Sequence, residues 1–452
     1  MSHSPSRKTF RARFDDMVKT LRNRLSSGQY SPGAYLPSVE ALSEQFNMSI
    51  NSVRKGLDAL AAEGWIETIP RVGSRVRPKS IAAAPETTLI LAVPHTLSRD
   101  AALEELLDRF HALHPHIKVQ PTIVPESTPR SCVESGVFDV VALTYPGFEE
   151  LAANGLLQAL EAQEERDDIY PFLTESFKQD GTLWAQPFLF SPVVLCYNKE
   201  HFRESGLLEP DSGWDWATLL EQAEKLTRKP ERYGLFFLHE TENRWLTFLM
   251  QSGQAFERGE DGTVSLRGTK LMESLSLCRD IVENETIFPR GLRMDAQTLF
   301  LKQRVSMILT TYFGLNMLKE APFAFDVSPL PRLHTPDTLL LVMGLAVHAH
   351  SLHAEAAREL VRFLTSAEAQ TLISERTFSI PSVKPVAEAS IPERDTRVSN
   401  YRMFRHIIPT FRLHKDLKLD YRMVAKMREE LLLFWSGLDK EDTLAEKLEA
   451  QL

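Results

Sequence analysis

Residues 33–76 constrain the fold more than any other stretch, because they predict two short helices joined by a tight turn. Apolar residues recur at helical spacing after each of two N-cap candidates, Ser38 and Ser49. They are Val39, Leu42 and Phe46 in the first helix and Val53, Leu57 and Leu60 in the second. Gly64 ends the second helix, and residues 65–76 alternate around a turn. The stretch therefore predicts a helix-turn-helix followed by a small β-hairpin, the wing.

The same region, extended to about residues 8–78, resembles the winged-helix domain of the GntR family of bacterial regulators. Residues 28–38 read GQYSPGAYLPS, where the family has G-x-L-x-P-G-x-x-L-P-S. Residues 48–66 read MSINSVRKGLDALAAEGWI, where the family has V-S-x-x-T-V-R-x-A-L-x-x-L-x-x-E-G-x-I. Two positions depart from the family: Glu40 replaces an Arg that helps contact DNA, and Ile50 replaces the Arg of some members.

The resemblance implies binding to a double-stranded DNA operator, with the second helix as the recognition helix. Arg54 lies in the first turn of that helix and is the strongest candidate for contact with a base or a phosphate. The hydroxyl and amide groups at a helix N-terminus can hold a phosphate oxygen, and the wing can reach a neighbouring groove. The predicted DNA contacts are Ser38, Ser49, Asn51, Ser52, Arg54, Lys55, Arg71, Ser74 and Arg75. An ordinary exposed position stays open for each of them.

The charge distribution separates this region from the rest of the chain. Residues 1–79 carry 13 Lys and Arg against 7 Asp and Glu, whereas the whole chain carries 52 against 61. The remaining residues therefore hold 39 basic against 54 acidic side chains. A basic module joined to an acidic body fits one part that binds phosphates and another that does not.

The length of 452 residues predicts about three globular units. Residues 79–87 separate the two charge regimes without apolar periodicity, so we interpret them as a linker between a domain over 1–78 and a body over 88–452. The three cysteines lack the spacing of a disulfide framework or a zinc finger. The N-terminus is polar and no apolar run is long enough to span a bilayer. We therefore expect a cytoplasmic protein with no membrane partner.

The body opens with alternating strand and helix patterns. Residues 87–93 form an apolar run typical of a buried strand, and residues 100–114 carry the stripe of an amphipathic helix. Strand character returns at residues 117–119 and 138–143, and a helix is predicted over 148–157. This order predicts an α/β architecture whose sheet is covered by helices.

An ordered set of motifs in the body resembles the family 1 extracellular solute-binding proteins, the maltose-binding-protein-like group. Residues 110–119 read FHALHPHIKV, like the group's F-E-K-x-x-P-x-I-K-V. Residues 181–187 read GTLWAQP and residues 195–202 read LCYNKEHF, like G-K-L-Y-A-L-P and L-Y-Y-N-K-D-L-F. The resemblance covers about residues 88–452 and implies two lobes joined by hinge strands around a ligand cleft.

The two resemblances together imply a winged helix-turn-helix N-terminal domain and an α/β two-lobed, periplasmic-binding-protein-like (type II) domain. Lobe I is expected over about 88–195 and 325–385, and lobe II over about 196–324 and 386–452. The solute-binding group is normally exported, whereas here it follows a predicted DNA-binding domain. We therefore expect a ligand-responsive transcription regulator that acts as a homodimer.

A carbohydrate site needs aromatic faces that stack on sugar rings and polar groups that pair with hydroxyls. By motif register, Tyr197 and the pair Tyr312 and Phe313 fall where maltose-binding relatives contact their ligand. Asp139 stands at a predicted strand end, where it can accept hydrogen bonds from a ligand or cap a helix. The predicted ligand-binding residues are Tyr145, Trp184, Tyr197, Trp245, Tyr312, Phe313 and Asp139. Packing in the core stays open for each aromatic residue.

Other functions stay open or are disfavoured on specific grounds. The ligand is alternatively a peptide, an amino acid or a polyamine, because the aromatic content favours sugar only modestly. A fused pyridoxal-phosphate aminotransferase-like domain needs a Schiff-base Lys and a phosphate-cradling Gly/Ser turn, and neither is found. No cofactor and no catalytic residue is therefore predicted. The histidine clusters at 111–116 and 348–353 have no neighbouring Cys, and no metal site is predicted.

Overall fold

The computed structural model of the chain describes residues 14, 17–22, 24–25, 30–31, 33–69, 72–77, 86–126, 128–260, 263–289, 294–389 and 398–451. The chain forms two compact units, Met1–Glu86 and Thr87–Leu452. Each unit has hydrophobic clusters of its own. Most of the predicted linker lies outside the described residues.

The first unit contains the predicted helices and hairpin. Helix α1 is Val39–Phe46, helix α2 is Ile50–Ala62, and strands β1 (Ile66–Ile69) and β2 (Gly73–Val76) pair in antiparallel fashion. The two helices begin at hydroxyl caps and are separated by a residue in the left-handed conformation, Asn47, with φ of 48°. Short polar side chains tolerate this conformation, so a tight turn forms without glycine.

The apolar stripes of α1 and α2 pack against one face of the hairpin. Leu42, Val53, Leu60 and Ile66 are fully buried in this cluster. The chain before α1 adds a bridge from Tyr35 to the centre of β2. The predicted winged helix-turn-helix is confirmed.

The second unit alternates strands and helices. Its strands are β3 Thr87–Val93, β4 Ile117–Ile123, β5 Val140–Thr144, β6 Lys178–Gln179, β7 Thr182–Leu183, β8 Gln186–Asn198, β9 Tyr233–Phe236, β10 Val305–Thr311, β11 Phe325–Ser328, β12 Thr338–Val347, β13 Ile380–Pro381 and β14 Phe411–Arg412. Its α-helices are α3 Leu97–Ala101, α4 Leu103–Leu113, α5 Pro129–Ser135, α6 Tyr145–Ala153, α7 Pro171–Thr174, α8 Lys199–Ser205, α9 Trp216–Leu226, α10 Glu242–Gln251, α11 Lys270–Glu283, α12 Ala296–Leu301, α13 Tyr312–Leu315, α14 Ala354–Leu364, α15 Ala367–Arg376, α16 Lys384–Glu388, α17 Phe404–Ile407, α18 Tyr421–Trp435 and α19 Glu441–Gln451.

Two helices differ from the predicted ranges. The stripe over 100–114 belongs to two helices, because Ala102 takes a left-handed conformation (φ 51°) between α3 and α4. The helix predicted over 148–157 begins earlier, at a cap on Thr144, and ends before Gly155. Local capping and backbone conformation therefore moved these bounds while the apolar stripes stayed in place.

One ten-stranded sheet runs through the second unit. Its order is β4-β3-β5-β12-β8-β10-β9, with β11 and β13 also paired to β8, and β14 paired to β12. Strand β3 is parallel to β4 and β5, whereas β8 is antiparallel to β12 and β10. All 13 residues of β8 are buried, as expected for a strand covered on both faces.

The two halves of β8 belong to different parts of this sheet. Residues 186–192 pair with β12, and residues 193–198 pair with β10 and β11. Strand β8 therefore crosses from lobe I, which contains β3, β4, β5 and β12, to lobe II, which contains β9 and β10. Strand β11, which begins the segment expected in lobe I at residue 325, pairs with the second half of β8. The predicted two-lobed α/β fold is confirmed. The residue limits of the lobes stay a prediction.

Candidate functional site

The recognition helix α2 presents a polar surface that begins at its cap. Ser49 Oγ accepts a hydrogen bond from Ser52 N (3.2 Å) and lies 2.8 Å from Ser52 Oγ. Ser52 is buried, so its hydroxyl supports the cap and is not presented to solvent. Asn51, Arg54 and Lys55 are exposed, and these predicted contacts share the open side of the helix.

The N-terminus of α1 already carries an anion of the chain itself. Ser38 is exposed, and its Oγ accepts a hydrogen bond from Ala41 N at 3.2 Å. The pKa of Glu40 is lowered by a hydrogen bond from its own backbone N–H, by one from Ser38 and by the charge of Arg54. A carboxylate here occupies the helix end at which a phosphate is otherwise stabilised. The predicted phosphate contact at Ser38 therefore competes with Glu40.

The carboxylate of Glu67 forms ion pairs with arginines in and next to the wing. Glu67 and Arg75 are cross-strand partners, and Arg75 Nη2 lies 2.7 Å from Glu67 Oε1. Arg77 Nε lies 3.9 Å from the other oxygen of Glu67. Ser74 is buried on the opposite face of β2, so its hydroxyl is not on the exposed face of the wing. The predicted contact Arg71 lies outside the described residues.

A cavity in the second unit lies at the carboxyl ends of the parallel strands β3, β4 and β5. It is small, with about 20 Å³ of space for the centres of water-sized molecules, and it opens to solvent. Pro94 and Val124 follow β3 and β4, Thr144 ends β5, and Cys132 of α5 completes a mainly apolar lining. Ligands of α/β sheets bind at this carboxyl edge. The cavity is therefore the candidate ligand site on lobe I.

Tyr145 follows the cavity residue Thr144 but is almost fully buried. Its hydroxyl donates to Glu149 Oε1 at 2.5 Å, and His414 Nδ1 lies 4.0 Å from Glu149 Oε2. Burial raises the pKa of Glu149 to about 7 and lowers the pKa of His414 to about 4. Burial therefore favours the neutral form of both the imidazole and the carboxyl group. Neither Glu149 nor His414 was predicted from the sequence.

Three other predicted ligand aromatics lie in the core. Tyr197, Trp245 and Tyr312 are fully buried. The hydroxyl of Tyr197 donates to Glu209 Oε2, and that of Tyr312 donates to the backbone oxygen of Tyr401, both at 2.8 Å. In this arrangement the three rings offer no face to a ligand and contribute to packing.

Trp184 and Phe313 are the predicted ligand aromatics that stay partly exposed. Trp184 Nε1 has no hydrogen-bond partner among the described residues. Phe313 lies in α13, which follows the lobe II strand β10. The structure does not gather all the predicted aromatics into one site: these two rings are partly exposed, but each also packs against a core cluster and neither lines the cavity.

Both carboxylate oxygens of Asp139 accept hydrogen bonds from other parts of the fold. Its Oδ2 accepts a hydrogen bond from Ile90 N at 2.8 Å, and its Oδ1 accepts one from Ser351 Oγ at 2.6 Å. The residue is buried before the amino end of β5, whereas the cavity lies at the carboxyl end. A direct ligand contact by Asp139 therefore has no support from this geometry.

A buried polar network between the lobes was not predicted from the sequence. Asn316 Nδ2 donates to Asp100 Oδ1 at 3.2 Å and to Ser379 Oγ at 2.9 Å. Asn316 Oδ1 accepts a hydrogen bond from Phe378 N at 2.6 Å. Asp100 lies in α3, after the lobe I strand β3, and Asn316 follows α13, after the lobe II strand β10. Burial raises the pKa of Asp100, against the ion pair with Arg99.

The described part of the chain contains no group of three or more His, Cys, Asp or Glu side chains placed to hold a metal ion. His348 is buried, with Nε2 3.1 Å from the backbone oxygen of Val133. In the same residues, no helix is both long enough and apolar enough to cross a membrane.

The fold and these sites define a winged-helix DNA-binding domain joined to a two-lobed solute-binding domain. Residues 94–371 match the bacterial extracellular solute-binding proteins, and residues 15–76 match the bacterial regulatory proteins of the gntR family. The chain belongs to the bacterial extracellular solute-binding protein family and carries a gntR-family domain at its N-terminus. Both resemblances inferred from the sequence are confirmed.

Individual relatives cover the two parts separately. The chain is 39% identical over 64 residues to the uncharacterized HTH-type transcriptional regulator YieP of Escherichia coli (strain K12), which is 14% of this chain and 28% of that protein. It is 21% identical over 309 residues to the multiple sugar-binding protein of Streptococcus mutans serotype c, covering 64% and 74% of the two chains. Less than a third of YieP is therefore represented here.

A solved structure shows the same fold as the second unit. The ABC substrate-binding protein Lmo0181 from Listeria monocytogenes, in complex with cycloalternan, superimposes with a TM-score of 0.69 at 21% identity. The match covers 81% of this chain and 98% of that chain. At this identity the similarity establishes the fold alone.

Proposed function

We propose that this chain is a cytoplasmic transcription regulator that binds operator DNA as a homodimer and senses a carbohydrate. One observation carries the proposal. A helix-turn-helix with exposed Arg54 and Lys55 is joined, in one chain, to a two-lobed unit with a cavity at the carboxyl ends of β3, β4 and β5. The first part offers cations to phosphate, and the second has its cavity at the sheet edge where α/β folds bind their ligands.

A carbohydrate is the ligand class that the similar proteins support. One is named a multiple sugar-binding protein, and another holds cycloalternan. In this chain, Trp184 and Phe313 keep partly exposed rings that can stack on sugar rings. The hydroxyl of Thr144 and the carboxyl group of Glu126 add polar groups to the mainly apolar cavity. The rings and the cavity are separate candidate contacts, because neither Trp184 nor Phe313 lines the cavity.

Regulation requires that the ligand and the DNA each prefer one arrangement of the protein. Strand β8 crosses between the lobes, so closure around a ligand bends or twists a strand that both lobes share. We propose that this change alters how the two winged helices of a dimer fit their half-sites. A coupling of roughly 5- to 150-fold between ligand and DNA is typical of such systems.

The test is DNA binding by the full chain with and without a panel of mono- and oligosaccharides. A labelled duplex is first selected from a random library, and its Kd is measured by fluorescence anisotropy. A thermal-shift screen identifies the sugars that bind. We expect one sugar both to raise the unfolding temperature and to change the Kd for DNA by about fivefold or more. A bound sugar that leaves the Kd unchanged contradicts the coupling, and a panel without any bound sugar contradicts the ligand class.

Matched variants separate the two sites. Phe313→Ala should weaken sugar binding by about tenfold, since an aromatic face is lost, and should leave DNA binding without sugar unchanged. Phe138→Ala is the control, because this partly buried Phe precedes the amino end of β5, away from the cavity. Arg54→Ala should weaken DNA binding while sugar binding stays unchanged.

A further inference from the structure

The recognition helix begins with an exposed apolar side chain. Ile50 is the first residue of α2, directly after the cap Ser49, and 41% of its surface is exposed. Its exposed neighbours on the same helix, Asn51, Arg54 and Lys55, are all polar. The first six residues of α2 therefore present one branched hydrocarbon beside hydrogen-bonding and cationic groups, and exposed Asp58 follows one turn later.

The described part of the first unit does not use Ile50 in its core. The buried side of α2 is formed by Val53, Leu57 and Leu60, and Ile50 belongs neither to this cluster nor to the side chains packed against it. A β-branched residue also has a lower helix propensity than alanine. Single exposed apolar residues are common on protein surfaces, so the position of this one decides what it can contact.

We infer that Ile50 reads the 5-methyl group of a thymine in the major groove of the operator. The inference rests on the proposed DNA-binding function and names a base that the protein recognises. In a helix-turn-helix, residues at the N-terminus of the second helix contact the base edges. The methyl group of thymine is the apolar group that base edges present in the major groove. Ile50 has no donor or acceptor, so this methyl group is the partner that its side chain fits.

The neighbouring charge pattern fits this assignment. Arg54 lies one turn after Ile50, on the same side of α2, and its side chain is exposed. Among the described residues, the negative charge of Glu40 acts on Arg54. The start of the helix thus presents an apolar contact at position 50 and an exposed cation at position 54. Recognition at the base facing Ile50 rests on shape and on the apolar surface.

The experiment removes only the methyl group. The full chain is used to select a duplex from a random library, and each thymine of that duplex is replaced singly by deoxyuridine, which pairs identically. We expect one deoxyuridine in each half-site to weaken binding by about three- to fivefold, the contribution of one buried methyl group. For Ile50→Ala, the same deoxyuridine should change the Kd by less than about 1.5-fold, so that the protein and DNA changes are not additive.

A control variant tests whether loss of any exposed apolar side chain has the same effect. Val72 in the wing is also exposed, by 61%, and Val72→Ala should keep the full deoxyuridine penalty. Because alanine is a better helix former, Ile50→Ala should keep the unfolding temperature of the parent chain. Equal deoxyuridine penalties in the parent and in Ile50→Ala overturn the inference, as does a duplex in which no thymine shows a penalty. Failure of the parent chain to bind any duplex overturns the proposed function itself.

Discussion

Glu67 sets the charge that the wing offers to DNA. Its carboxylate pairs with Arg75 at 2.7 Å and reaches Arg77 at 3.9 Å. An arginine engaged with a carboxylate neutralises less phosphate charge, so Glu67 lowers the electrostatic attraction of the wing. We expect Glu67→Gln to tighten DNA binding about three- to tenfold and to steepen the slope of log K against log salt by about one. Anisotropy titrations between about 50 and 300 mM salt measure both quantities.

Glu63 provides the matched control for that substitution. It pairs with Arg22 at 2.7 Å, outside the wing hairpin. The substitution Glu63→Gln removes one acidic charge, as Glu67→Gln does. Glu63→Gln should therefore change affinity through net charge alone, without the added slope. If Glu67→Gln leaves both the affinity and the slope at the parent values, the ion pair does not limit DNA binding.

Glu149 makes the stability of the second unit depend on pH. Burial raises its pKa to about 7 from the usual 4.5, so the folded state holds the proton more tightly than the unfolded state. This contribution is fully present below pH 4.5 and is lost as the pH rises through about 7. Glu149→Gln should raise the free energy of unfolding at pH 8 by on the order of 2–3 kcal/mol and leave it unchanged near pH 4. Urea denaturation across this range is the measurement.

The neighbouring groups define the control for the pH experiment. Lys415 lowers the pKa of Glu149 and Asp420 and Asp416 raise it, whereas burial depresses the pKa of His414 to about 4. His414 therefore destabilises the fold as the pH falls below about 6.5, with the opposite sign. The exposed Glu134 forms an ion pair with Arg130 on its own helix, so Glu134→Gln should leave the profile unchanged. If the free energy of unfolding of Glu149→Gln falls between pH 5 and 8 as much as that of the parent chain, Glu149 does not cause the pH dependence.

At the scale of elements, local patterns predicted the helices and strands but not which face meets a ligand. The caps and stripes of α1, α2 and β3 follow from residues within a few positions of each other, so the sequence predicted them closely. Tyr197 lies in β8, whose residues are all buried, and such a run has no alternation to distinguish a cleft face from a core face. The Asp100–Asn316 hydrogen bond joins positions 216 residues apart, which no local pattern can show.

The polar network around Asn316 holds two elements of different lobes together. Asn316→Ala removes hydrogen bonds to Asp100 and Ser379 and leaves buried polar groups without partners. We expect a loss of about 2–3 kcal/mol in the free energy of unfolding of the second unit. We also expect faster hydrogen exchange at Phe378 N, which loses its acceptor, and a larger radius of gyration in solution scattering, since one tie between the lobes is gone.

A second asparagine, Asn284, is the control for the loss of a side-chain amide that does not join the lobes. Asn284 ends α11 and accepts a hydrogen bond from Thr286 N, so its contacts are local. Asn284→Ala should reduce stability by no more than about 1 kcal/mol and leave the scattering curve unchanged. Equal radii of gyration for Asn316→Ala and the parent chain would show that the network does not restrain the lobes.

At the scale of the whole molecule, two units with separate hydrophobic clusters should unfold in two steps. Calorimetry of the full chain should therefore show two transitions. A sugar at about 100 times its Kd adds about 2.7 kcal/mol to the second unit, which raises that midpoint by roughly 3–5 °C, while a selected duplex raises the first. Arg54→Ala should abolish the shift caused by DNA and keep the shift caused by sugar. A single transition that both ligands raise together would show that the two units unfold as one cooperative body.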